Sequence, residues 1–147
     1  MERTEKIFRA LIASDTENKY HLNHGELGFV LLHKRNPDFK EAEASLSEAF
    51  SIRDKLELSG YYHYEFYRAY CIISLDEEFR KGMPSMEPIK NRIIQDLETA
   101  AQQQDVYYSM FSSRSVSRWM ELNNYKPEPC FEKDKEDNEE IPENDSS

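Results

Sequence analysis

His21 and His24, three residues apart with Glu17 one turn before them, come nearest in this sequence to a metal-binding pattern. A zinc site needs three or four converging ligands with outer hydrogen bonds to hold them, and two histidines at this spacing supply only part of that. The expectation is therefore that His24 packs its helix, His21 is solvated and no metal is held. His33 and His63 have neither a cysteine nor a second histidine near them in sequence. Cys71 with a histidine as base has the elements of a nucleophilic pair. It sits, however, in the apolar run AYCIISL, where a thiol is buried and inert. The chain has no Gly-rich phosphate loop and no GxSxG, HExxH or CxxC motif. The residues thus point away from an enzyme and from any cofactor.

Charges set inside apolar stripes are more informative. Arg53 follows Ala49 by four residues, and Glu65 and Arg68 interrupt the aromatic run YYHYEFYRAY. A buried charge must be paired, so two readings stand. In one, an ion pair crosses a helical hairpin and fixes its register. In the other, Arg68, together with Arg53, lines a groove and grips a partner's carboxylate through two parallel N–H donors. Tyr61, Tyr62, Tyr64, Tyr67 and Tyr70 exceed what one core face of a single helix can hold, so some rings are expected at the surface, where Tyr is a common interface anchor. Each tyrosine alone is equally compatible with partial burial and a wet hydroxyl. The candidate partner-binding set is Arg53, Tyr61, Tyr64, Glu65, Tyr67 and Arg68.

The elements that position these residues follow from composition and period. The chain of 147 residues has room for one core, and only four residues are glycine. Apolar residues recur at steps of three and four, which predicts an all-α fold of about six helices. The first spans 3 to 13. Ser14 with Glu17 reads as a capping box opening a second helix that runs to about Lys34, and Asn36-Pro37 stops it. Asp38 with Glu41 opens the third, and Ser59-Gly60 closes it. The fourth covers 61 to 75, and residues 76 to 85 read as an extended connection. Ser85 is positioned to cap the fifth, which carries Ile89, Ile93, Leu97 and Ala100. The sixth runs from Asp105 to Asn123 and packs Tyr108, Phe111, Trp119 and Leu122.

The net charge is −10, which disfavours phosphate backbones and acidic lipid surfaces. Residues 126–147 hold nine acidic residues against three lysines, a net −6, and the first 125 carry the remaining −4. With so few apolar residues, 126–147 is expected to be a disordered acidic tail behind a domain of residues 1–125. Two cysteines, one of them in that tail, suggest a reducing compartment and a cytoplasmic chain without signal peptide or membrane span.

Two segments 51 residues apart share one spacing, Ala42-x3-Leu46-x2-Ala49 and Ile93-x3-Leu97-x2-Ala100. Each follows a helix with a small residue in its apolar line, Gly28 or Ala69. Over residues 20 to 122 this resembles the tetratricopeptide repeat: Leu27, Gly28 and Leu31 match its first helix, and Ala42, Leu46 and Ala49 its second. The resemblance implies stacked antiparallel hairpins that bind a protein or peptide. At the positions where one subgroup of that family clamps a C-terminal carboxylate, this chain has Gly25 and Phe29, so that mode is not implied. The function expected is a protein-interaction module, an adaptor or an accessory subunit of a larger complex. The alternative is an acidic inhibitor or decoy that occupies a basic nucleic-acid-binding surface. Because most of the charge lies in the tail, the groove reading is preferred.

Overall fold

The computed structural model describes residues 2–58, 62–129 and 131. They form helices α1 (Glu2–Ser14), α2 (His21–His33), α3 (Phe39–Lys55), α4 (His63–Leu75), α5 (Glu77–Arg80), α6 (Ile89–Ala100), α7 (Gln104–Ser112) and α8 (Arg114–Leu122), with no strand among the described residues. The all-α expectation holds, but the described residues form eight helices where about six were expected.

Each discrepancy has a local cause. Ser14 does not open α2. It ends α1, its hydroxyl donating to the Ala10 carbonyl at 3.0 Å. Asp15 takes over the turn, its carboxylate accepting from the backbone N–H groups of Lys19 (2.8 Å) and Tyr20 (2.9 Å), and α2 starts only at His21. Asp38 does cap α3, accepting from Glu41 N–H at 3.0 Å. That helix ends before Ser59-Gly60: Glu57 adopts a left-handed φ of 56°, and Leu58 N–H closes on the Arg53 carbonyl at 2.9 Å. The connection after α4 contains the short α5, capped by Asp76 and closed at Gly82, whose φ of 79° suits a residue without Cβ. The expected sixth helix breaks at Ser113, whose hydroxyl accepts from Val116 N–H and starts α8. The break turns the helix face, so Val106, Tyr107 and Met110 are buried while Tyr108 and Phe111, expected in the core, are exposed.

The helices that frame α4 run antiparallel to it. Gly28 of α2 meets Leu46 of α3, where a Cβ would lie 2.6 Å from Leu46 Cγ and 3.2 Å from the Ala42 carbonyl, so the two helices pack close because this position lacks a side chain. Arg53 and Ser47 of α3 face Glu65 and Arg68 of α4 in reversed order. In the same way, Tyr62 and Arg68 face Gln103 and Asp96 at and beyond α6. One core joins Leu27, Leu31, Ala42, Leu46 and Ala49 to Tyr64 and Cys71. The other joins Ala69, Ile72 and Ile73 to Ile93, Leu97, Met110, Val116 and Trp119. Thus α4 lies between two cores and serves both.

Ser85 caps no helix. It is buried: its hydroxyl donates to Asp76 and accepts from Trp119 Nε1–H at 2.7 Å, while its N–H donates to Asn123 Oδ1 at 2.8 Å. This polar network ties the α5 loop to α8. Beyond Tyr125, Pro127 is buried and Phe131 packs edge-on to Tyr107, centroids 5.6 Å apart. Residues 132–147, where most of the expected acidic tail falls, lie outside the described residues.

Candidate functional site: two grooves beside the fourth helix

The period of α4 divides its polar and aromatic residues between two sides. Glu65 and Arg68, three apart, face α3 and α6, where they line an open polar groove of about 460 Å³ with Phe50, Arg53, Tyr62 and Asp96. Arg53 makes a two-pronged ion pair with Glu65, the Nη1–Oε1 bond measuring 3.3 Å. Arg68 donates to Asp96 through Nε (2.8 Å) and Nη2 (2.7 Å), and its Nη1 reaches Ser47 Oγ at 3.0 Å. The Phe50 ring lies under both guanidiniums, 4.9 Å from Arg53 and 4.5 Å from Arg68. Burial works against the charge on Arg53, but the bonds to Glu65 more than offset it and hold its pKa above the ordinary value. Burial pushes the Asp96 carboxyl above the usual carboxylate range, with Arg68 pulling it part of the way back.

This geometry bears on the sequence-derived residues one by one. Arg53 and Glu65 pair with each other across the α3–α4 hairpin. Arg68 turns to α6, and its three donor nitrogens are all engaged within the chain. The acid it meets, Asp96, escaped the sequence reading. Its only signal was a carboxylate between Ile93 and Leu97 in an otherwise apolar line. The groove lining carries Asp54, Glu65 and Asp96 against Arg53 and Arg68, one net negative charge, which does not favour an incoming carboxylate.

Tyr64 must be removed from the surface set. It is 1% exposed, its ring fills the space over Gly25, where a Cβ would fall 2.2 Å from the ring, and its hydroxyl donates to Glu26 at 2.9 Å. Tyr61 lies outside the described residues. Tyr67 stays half-buried on the opposite side of α4, in a second groove of about 360 Å³. Leu32, His33, Phe66 and Tyr70 line it with Tyr67, and Ser109, Ser112 and Ser113 form its far wall. The rings support one another: Phe29 lies 5.1 Å from Tyr67 and 4.1 Å from His33, and Phe39 lies 5.9 Å from Tyr70. His33 Nδ1 donates to the Phe29 carbonyl at 2.9 Å, which fixes the orientation of its ring. The α7 wall was not legible in sequence, because it exists only through the Ser113 break.

His21, expected in solvent, is half-buried, and its imidazole is held below its usual range by burial and by the charge of Arg53. Among the described residues no three His, Cys, Asp or Glu side chains come together as an ion-binding group. Cys71 is fully buried, and that burial pushes its thiol up to about 12. Among the described residues no helix is long and apolar enough to cross a membrane. No protein-family model, curated protein or solved structure matches the chain.

Proposed function

We propose that the chain is a non-catalytic protein-interaction module, an adaptor or accessory subunit, that takes an apolar or aromatic side chain of a protein or peptide partner into the groove beside Tyr67. The observation that carries this reading is the cluster of half-buried rings at that groove, held by neighbouring aromatics and rimmed by three serine hydroxyls. Rings fixed in place before binding lose little entropy on contact, and the rim hydroxyls of Ser109 and Ser112, which donate to the Asp105 and Tyr108 carbonyls, keep lone pairs that can accept from a peptide N–H. The volume sits at the low end of the roughly 300–1,000 Å³ typical of ligand pockets, room for one or two anchoring side chains. The polar groove plays a different part, with Arg53, Glu65, Arg68 and Asp96 bracing α3, α4 and α6. The α2–α3 hairpin, with Gly28 seated against Leu46 and Ala42, supports a divergent tetratricopeptide-like unit as the scaffold.

Ser112 is exposed and removes nothing from either core when replaced. Peptides selected from a random display library against the full chain are expected to share an apolar or aromatic anchor. Ser112→Trp, which fills the groove, is expected to weaken them at least tenfold, about 1.4 kcal/mol. Selected peptides that bind Ser112→Trp as tightly as the parent chain would overturn the assignment of this groove.

A further inference from the structure

One surface feature is unrelated to either groove. Helix α1 packs Phe8 and Ile12 against the N-terminal core, yet Ile7 and Leu11, about 100° round the helix from them, are 52% and 44% exposed. The helical period places Arg3, Ile7, Leu11 and Ser14 on one outward stripe, with the exposed Ala10 beside it. Isolated exposed apolar residues are ordinary. An i, i+4 ridge flanked by small residues on one helix has the form that packs into the groove of another helix.

The charges on this helix select the occupant. Arg3 is exposed near the start of α1, and Asp15 follows its last residue. Lay a second α1 antiparallel across the first, with the two-fold axis at Arg9, and residue i stands opposite residue 18 − i. Ile7 then faces Leu11 of the second copy, and Arg3 faces Asp15. The same register that closes the apolar ridge on itself thus also brings opposite charges together, as an isologous interface requires. The helix dipoles also run antiparallel in this arrangement, the N-terminus of each beside the C-terminus of the other.

We propose that α1 is a self-association surface, on which two copies of the chain pair antiparallel through Ile7 and Leu11 with Arg3 of each opposite Asp15 of the other. A helix of 13 residues spans about 20 Å. One such pair buries less than the ~1,600 Å² of a standard stable interface, so the association is expected to be weak. The rim pair weakens with salt, since the screening length falls from about 10 Å at 0.1 M to about 3 Å at 1 M.

Sedimentation velocity on the full chain from about 10 µM to 1 mM tests this. The parent chain is expected to move toward a dimer over that range. Leu11→Glu and Ile7→Lys are each expected to raise the dissociation constant at least tenfold with unchanged helical circular dichroism, while Tyr108→Glu, on the exposed face of α7, leaves it unchanged. A parent chain that stays monomeric at 1 mM overturns the proposal. So does a dimer indifferent to Leu11→Glu and Ile7→Lys, or one lost in Tyr108→Glu.

Discussion

Replacing Arg68 with methionine keeps most of the stem that lies over Phe50 and removes every donor that Asp96 relies on. Asp96 is 2% exposed, so its carboxylate is then left charged and unpaired in the interior. Breaking a buried pair from one side costs about 3 to 5 kcal/mol. A second route sets a ceiling, because the carboxyl can escape by taking up a proton. At pH 7 that costs about 1.36 kcal/mol for each pH unit above its ordinary value near 3.9, roughly 4 kcal/mol in all. The expected loss is therefore about 3 to 4 kcal/mol at pH 7. At pH 5 the same ceiling falls to roughly 1.5 kcal/mol. The sign is fixed: in the variant the folded-state pKa of Asp96 lies above the unfolded value, so the folded state binds more protons. Its penalty is absent below the unfolded value and grows as pH rises toward the folded one. Urea unfolding followed by circular dichroism at pH 5, 6 and 7 measures both the size and the slope. The double variant Arg68→Met/Asp96→Leu, which leaves no buried charge, is expected to recover most of the loss. A loss under about 1 kcal/mol at pH 7, the range of an exposed pair, would refute the buried α4–α6 brace, as would a large loss that does not change with pH.

Gly28→Ala is expected to lower stability by about 1 to 3 kcal/mol, because the added carbon overlaps Leu46 Cγ; an unchanged melting temperature would contradict the α2–α3 packing. The imidazole of His21 is held down by burial and by Arg53, so below its ordinary value near 6.5 the unfolded chain binds more protons. Its contribution to stability is thus complete above that pH and is lost as pH falls through the lowered folded value. His21→Gln is expected to flatten the unfolding free energy between pH 7 and 5 relative to the parent chain. Cys71, buried with its thiol raised to about 12, is expected to react with a disulfide reagent at pH 8 only as fast as the protein opens, at a rate that rises with urea; prompt labelling of native protein at Cys71 would contradict its burial.

Much of the fold was legible because helical period is a local property. The lines through Leu27 and Leu31, Ala42, Leu46 and Ala49, and Ile93, Leu97 and Ala100 each enter a core as their spacing required. The need to pair Arg53, Glu65 and Arg68 was equally legible, since burying a charge is costly whatever surrounds it. The choice of partners was not. Glu65 could answer either arginine, and only the placement of α3 and α6 antiparallel to α4 gives Arg53 to Glu65 and Arg68 to Asp96, the latter two separated by 28 positions. The caps divide in the same way. Asp38 acts three residues away and was found. Ser14 carried the same capping-box signature and Ser85 stood where a cap was expected, yet one lost its turn to the stronger acceptor Asp15 and the other was drawn into a buried network with Asp76 and Trp119. The tyrosines of α4 show most clearly where sequence stops. Their number implied that some must be exposed, but Tyr64 disappears under α2 because Gly25 leaves room for its ring, whereas Tyr67 meets a groove that exists because α7 and α8 break at Ser113. Sequence determines which residues must be buried or paired; the packing of distant helices decides with which neighbours, and so which surface is left to bind.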